Sequence, residues 1–242
     1  MTGPEPERDQ GERGGRSPGF RPGARYSTLV GIAFMGLIVV AAINAARTGE
    51  GTILGTEEVL GEPVPEFAVP DILGPLDGDA NVSQDDCETS ANPCPAEDAR
   101  EPACEIDPEG AIRVCDLFDR PLAISFWFTR GADCLEAQDS FDAVARDYEG
   151  RVNFLSLNIR DARDEVEDIV AERDWTVPVG WDRDGAVSNI MRIGVCPTVA
   201  FVFPGGIFQA AEVGDDALSE PELDAHVREL IRQSREREGR PG

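Results

Sequence analysis

Beyond about residue 120, hydrophobic positions along the chain alternate between two periods. Leu122–Phe128 (LAISFWF) is a continuous apolar run of strand length, the pattern of a buried strand. Leu135–Tyr148 follows, with Phe141, Val144, Ala145 and Tyr148 at helical spacing. Val152–Asn158 (VNFLSLN) predicts a second strand. Ala162–Arg173 predicts a helix with Val166, Ile169 and Val170 on one face. Thr176–Trp181 reads as extended, and Ala186–Ile193 as a short helix ending before Gly194. The pattern then changes. Thr198–Phe203 and Ile207–Val213 are joined by Pro204-Gly205-Gly206, a hairpin signature. A last helix, Glu220–Gln233, carries Leu223, Val227, Leu230 and Ile231 as its apolar stripe. Parallel strands first and an antiparallel pair last predict an α/β fold, a mixed central sheet flanked by helices on both faces.

A different pattern lies near the start. Tyr26–Ala46 is an uncharged run of 21 residues between Arg25 and Arg47. As a helix it would be about 31 Å long at ~1.5 Å per residue, the thickness of a bilayer core. Five arginines precede it, Arg47 alone follows, and the chain then turns acidic. The positive-inside rule puts the N-terminus in the cytoplasm and the main domain outside, a single-pass plasma-membrane topology. A cleaved signal peptide is the rival reading; the run is long for one, and residues 42–46 offer no clean cleavage site. The expected organisation is a disordered cytoplasmic tail (1–25), a transmembrane helix (26–46), a linker (47–60), one domain (61–234) and a short disordered tail (235–242).

Charge narrows the partners. The formal net charge is -25, and every basic residue is Arg. Residues 1–26 carry five Arg and four acids; from Thr48 onward there are 16 Arg and 43 acids. A field of that sign repels nucleic acid and anionic lipid headgroups. It also serves simply as a solvated, self-repelling surface. The single histidine, His226, sits among apolar helix positions and reads as structural, so histidine-based metal or catalytic sites have little to work with.

Six cysteines occur, all beyond the apolar run: Cys87, Cys94, Cys104, Cys115, Cys134 and Cys196. An even count outside the cytoplasm points to disulfides. The first four fall in an acidic, Pro-rich stretch with few large apolar residues, which by itself cannot build a core. Their separations of 6, 9 and 10 residues contain no C-x-x-C, which disfavours zinc, and no metal or cofactor is expected. Three pairings are open; Cys87–Cys94 with Cys104–Cys115 joins nearest neighbours.

Four segments resemble parts of the membrane-tethered thiol–disulfide oxidoreductases of the thioredoxin-like, or redoxin, superfamily. Gly61–Asp71 (GEPVPEFAVPD) resembles the opening of such domains. Ser125-Phe126-Trp127-Phe128-Thr129 resembles the strand that ends at the active site. Gly194-Val195-Cys196-Pro197-Thr198 resembles the loop holding the family's cis-proline, and Phe203-Pro204-Gly205-Gly206 the hairpin after it. The likeness covers about Gly61–Ser234, interrupted by a cysteine-rich insert at about 74–115. It departs at the point of chemistry. Where the family has C-x-x-C, this chain has Gly131-Ala132-Asp133-Cys134: the attacking cysteine is replaced by Gly131 and the second is kept as Cys134.

The resemblance implies that the cis-proline loop packs against the active-site turn, which would place Cys196 beside Cys134. It suggests a disulfide across the site in place of the lost motif, redox-active if exposed and structural if buried. It also implies a substrate groove around Pro197, Arg130, Gly131 and Trp127, although the ordinary role of Trp127 is core packing beneath the site. Cys134 at a helix N-terminus would be favoured as a thiolate, with Arg130 helping and Asp133 opposing. The implied function is thiol–disulfide exchange through Cys134 and Cys196. The partners would be exported proteins with cysteine thiols or disulfides (cytochrome c maturation factors among them), with a membrane electron donor. The alternative is a redox-inactive binding module that keeps the groove. A peroxiredoxin-like route fits poorly, because Trp127 and Gly131 stand where that motif needs Pro and Thr or Ser.

Overall fold

The computed structural model describes residues 34–36, 38, 59–76, 88–89, 92–93, 102–130, 134–214 and 217–239. The chain divides into two compact units, residues 1–50 and 51–242. In the first, Phe34, Met35, Gly36 and Ile38 are helical with exposed side chains. The rest of the expected apolar span at 26–46 lies outside the described residues, as do the tail at 1–25 and nearly all of the linker at 47–60. Among the described residues, no helix is long and apolar enough to cross a membrane.

The second unit is built on a five-stranded sheet. Its strands are β5 (Leu122–Trp127), β6 (Asn153–Ile159), β7 (Val179–Asp182), β8 (Thr198–Phe203) and β9 (Ile207–Val213), ordered β7-β6-β5-β8-β9. The strands β5, β6 and β7 run parallel; β8 pairs antiparallel with β5, and β9 with β8. Among the described residues, four α-helices accompany it: α1 (Cys134–Asp147), α2 (Arg163–Arg173), α3 (Ala186–Ile190) and α4 (Glu220–Glu238). This is the element order that the hydrophobic pattern predicts.

Alternation along β5 divides the core. Ala123 and Trp127 face one cluster, with Phe141 of α1, Val166 of α2 and Leu223 of α4. Leu122, Ile124 and Phe126 face the other, with Val187 of α3, Phe67 and Val69. All six β5 residues are buried, Ser125 included, so neither face of the strand is turned to solvent. The hairpin turn needs its glycines: Gly205 and Gly206 adopt φ 82° and 76°. A Cβ on Gly206 would also stand 2.7 Å from the Phe118 ring.

The acidic stretch at 74–115, expected to build no core of its own, has its last residues built into the domain. β4 (Ala111–Arg113) pairs antiparallel with β1 (Ala68–Pro70), and Ala103 and Val114 are fully buried. A short pair, β2 (Glu88–Thr89) with β3 (Asn92–Pro93), lies between them in sequence. The final tail at 235–242 was read as disordered, but α4 continues to Glu238. Arg232 pairs with both Glu229 and Glu236 at helical spacing, which supports the extra turn.

Candidate functional site

The register of the central sheet places the two cysteines. Phe126 of β5 lies opposite Thr198 of β8. The end of β5 and the start of β8 therefore lie at one end of the sheet. Chain leaving β5 reaches Cys134, the first residue of α1; chain entering β8 passes through Cys196 and Pro197. Cys134 and Cys196, 62 residues apart in sequence, meet there and form a disulfide with Cα atoms 5.8 Å apart. The Cys196–Pro197 peptide bond is cis.

The two sulfurs have different surroundings. Cys134 is 1% exposed and belongs to the core cluster beneath α1. Cys196 is only partly buried, between the exposed Val195 and the buried Pro197. Cys134 also begins a 14-residue helix, whose first N–H groups have no partner within the helix and favour negative charge.

Buried polar groups lie along the strands that lead to this end of the sheet. Ser125 Oγ donates to Gln138 Oε1 at 2.8 Å, and the Trp127 indole donates to Ser156 Oγ at 2.7 Å. Asp161, 4% exposed, accepts the Thr129 N–H at 2.6 Å, the Thr129 hydroxyl at 2.9 Å and the Asn158 amide at 2.8 Å. Thus Asp161, just past β6, fixes the chain leaving β5 at the point where it turns towards α1.

The remaining expected site residues divide. Arg130 is exposed and pairs with Asp161 at 3.8 Å. Pro197 is buried at the head of β8. Gly131 lies outside the described residues, as do Ala132 and Asp133. Trp127 does not line a groove: it is fully buried, edge-to-face with Trp175 at 5.2 Å. The pleat turns its side chain onto the core face beneath α1. Cys104 and Cys115 form a disulfide with Cα atoms 5.8 Å apart, one of the pairs that nearest-neighbour spacing favours. Cys87 and Cys94 lie outside the described residues. Glu66 approaches Cys104 and Cys115 closely, but both sulfurs are bonded to one another. His226 lies on α4, 5.6 Å from the Phe201 ring and 3.7 Å from Glu212.

Sequence reasoning missed Ser125, Gln138, Asp161 and Arg160. Ser125 and Gln138 interrupt apolar faces, and that interruption is the one local signal they carry. Asp161 and Arg160 sit in a loop after a strand and carry none.

No family model matches the chain. A thiol-disulfide oxidoreductase ResA from Oceanobacillus iheyensis is 24% identical over 130 residues, covering 53% of this chain and 66% of that protein. The chain thus spans just under two thirds of the length of that curated relative. Among solved structures, an uncharacterised conserved protein from Geobacillus kaustophilus is similar with a TM-score of 0.53 and 14% identity. That match covers 72% of this chain and 82% of the other. A proposed thiol:disulfide interchange protein DsbE from Chlorobium tepidum is similar with a TM-score of 0.50 and 13% identity, over 72% of this chain and 96% of the other. The structural likenesses establish a thioredoxin-like fold.

Proposed function

We propose that this chain, a member of the thioredoxin-like thiol–disulfide oxidoreductase family, exchanges thiols and disulfides through Cys134 and Cys196. The observation that carries the reading is the disulfide at the end of the central strands, with one sulfur partly exposed and the other buried at a helix N-terminus. Exposure decides which sulfur a substrate reaches, and the leaving group departs more readily where a thiolate is stabilised.

In the oxidising direction, a substrate thiolate attacks Sγ of Cys196. The Cys134–Cys196 bond breaks, a mixed disulfide forms on Cys196, and Cys134 leaves as a thiolate at the start of α1. A second substrate thiolate then attacks the substrate sulfur of the mixed disulfide. The substrate disulfide forms and Cys196 leaves. Two electrons and two protons pass from the substrate dithiol to the cysteine pair. The reverse sequence reduces a substrate disulfide. Roles are thus exchanged relative to C-x-x-C: the attacking sulfur comes from the cis-proline loop.

The substrates are cysteine-bearing exported proteins. The chain works outside the cytoplasm, tethered by Tyr26–Ala46; in the reducing direction a membrane electron donor restores its two thiols. The arginines before that run and the acidic chain after it support this placement. A second reading, a binding module without turnover, is favoured by Gly131 at the place of the family's attacking cysteine.

The two readings separate in one experiment. Wild-type chain and the Cys134→Ser and Cys196→Ser variants are incubated with a peptide disulfide and a small dithiol. Exchange is expected in the wild type, and a persistent mixed disulfide on Cys196 in Cys134→Ser. No exchange in the wild type, with peptide still bound, leaves the binding module.

A further inference from the structure

At the C-terminal ends of β5 and β6 lies a pocket of about 410 Å³. The open ends of parallel strands are an ordinary place for a ligand. Phe128, Ile159 and Ile193 give the pocket an apolar wall, and Arg130 and Arg160 give it two guanidinium groups. Asp161 lines the pocket as well, so two guanidiniums stand against one carboxylate there, a local excess of positive charge in a chain of net charge -25.

Both arginines are placed to meet an acceptor from outside. Arg160 has a left-handed backbone, φ 62°, which few non-glycine residues adopt. Its Nε donates to the Asp184 carbonyl at 2.6 Å, a bond that uses neither Nη. The guanidinium lies across Gly185, where a Cβ would stand 3.0 Å from Arg160 Cζ. Arg130 is 83% exposed, and its ion pair with Asp161 is long, 3.8 Å. At that distance the pairing holds the exposed Arg130 side chain weakly. Asp161 does not depend on it, since Thr129 and Asn158 already fill its carboxylate.

The pocket also touches Gly194, two residues before Cys196. Two Cα steps span at most about 7 Å, which matches about two residues of an extended peptide. A side chain on Gly194 would meet nothing within 4 Å, so space for an approaching strand is open there.

We propose that this pocket is a subsite for a carboxylate side chain one or two residues from the substrate's reacting cysteine. The protein then selects cysteines flanked by Glu or Asp. The apolar wall receives the methylenes, and the two guanidiniums form charge-assisted hydrogen bonds to the carboxylate. The proposal rests on the exchange reading above.

The test uses two peptide disulfides identical except for Glu or Gln beside the cysteine. Wild-type chain at low salt is expected to exchange the Glu peptide with kcat/KM about tenfold higher, the scale of one charge-assisted bond. The preference should shrink as salt rises. In an Arg130→Gln, Arg160→Gln double variant the ratio should fall to about one, while Arg130→Lys, Arg160→Lys should keep part of it. Equal rates in the wild type, or a preference that survives the Gln variant, would overturn the subsite. The same peptides with Ser in place of Cys are titrated for binding. A Glu-over-Gln affinity ratio that disappears in the Gln variant supports the subsite even if neither disulfide is exchanged. That combination would sink the exchange reading alone.

Discussion

The Asp142 carboxylate of α1 accepts the backbone N–H of Thr176 at 2.6 Å and, through the same oxygen, that of Val177 at 3.0 Å. It is 1% exposed, takes the Thr176 hydroxyl at 3.1 Å and pairs with Arg146. One side chain thus ties α1, whose first residue is Cys134, to the segment entering β7. Asp142→Ala leaves two inward N–H groups without an acceptor and should cost about 3 kcal/mol of unfolding free energy, measured by denaturant titration. Asp142→Asn keeps one acceptor and should cost less. Equal stability of the Ala variant and wild type would mean that water replaces the carboxylate.

The unequal burial of the two sulfurs sets an order of reactivity. After mild reduction, Cys196 should alkylate at least about tenfold faster than Cys134, because Cys134 reaches solvent only when α1 opens locally. Quenched alkylation followed by peptide mass spectrometry reads both rates in one sample. Faster labelling of Cys134 would reverse the proposed roles.

Tyr148 provides a test in alkali. Its hydroxyl donates to Asp224 Oδ1 at 2.6 Å, bridging the end of α1 to α4. Burial, then the Asp224 hydrogen bond, push the phenol up to about 12. The folded chain therefore holds this proton where the unfolded chain, near 10, has lost it. The stabilisation is complete below pH ~10 and is lost as pH rises towards about 12. Tyr148→Phe should flatten that part of the stability–pH curve relative to wild type. Parallel curves would show that the phenol does not carry the slope.

Gly180 of β7 lies under the opening segment. A Cβ there would stand 2.5 Å from Val69 Cγ2 and 2.7 Å from Leu157 Cδ2. Gly180→Ala should therefore cost about 1–3 kcal/mol by overpacking, despite its better strand propensity. A companion Val69→Ala change should recover part of the loss, since it removes the nearer clash. Thermal unfolding of the single and double variants measures both.

The Cys104–Cys115 disulfide closes a short loop onto β4. Replacing both by Ser should lower stability by about 3 kcal/mol on the chain-entropy model for a loop of this size. The Cys134–Cys196 exchange rate should stay within about twofold, because mutations at separate sites act independently.

The two periodicities were enough to name the main elements. A run such as LAISFWF is buried on both faces wherever it folds, and the stripe Leu223, Val227, Leu230 can be satisfied by a helix on a core. Pro204-Gly205-Gly206 likewise carried its own turn, because positive φ is a local demand. The return of Ala111–Arg113 to pair with Ala68–Pro70 was not legible: three residues of mixed polarity carry too little pattern. Nor was the last turn of α4, which rests on ion pairs rather than on an apolar stripe.

The site followed a different rule. Its cysteines could be counted from the sequence, and the resemblance alone suggested that Gly131 stands where such proteins carry an attacking cysteine. The pairing of Cys134 with Cys196 was expected from the family resemblance and from no pattern within either segment, whereas only the tertiary structure decided that Asp161 fixes the approach to α1 and that Arg130 and Arg160 share one pocket. Periodicity records how each segment meets a core. Contacts between residues 62 positions apart depend on strand order and on the register that sets Phe126 opposite Thr198, and no segment carries that register by itself.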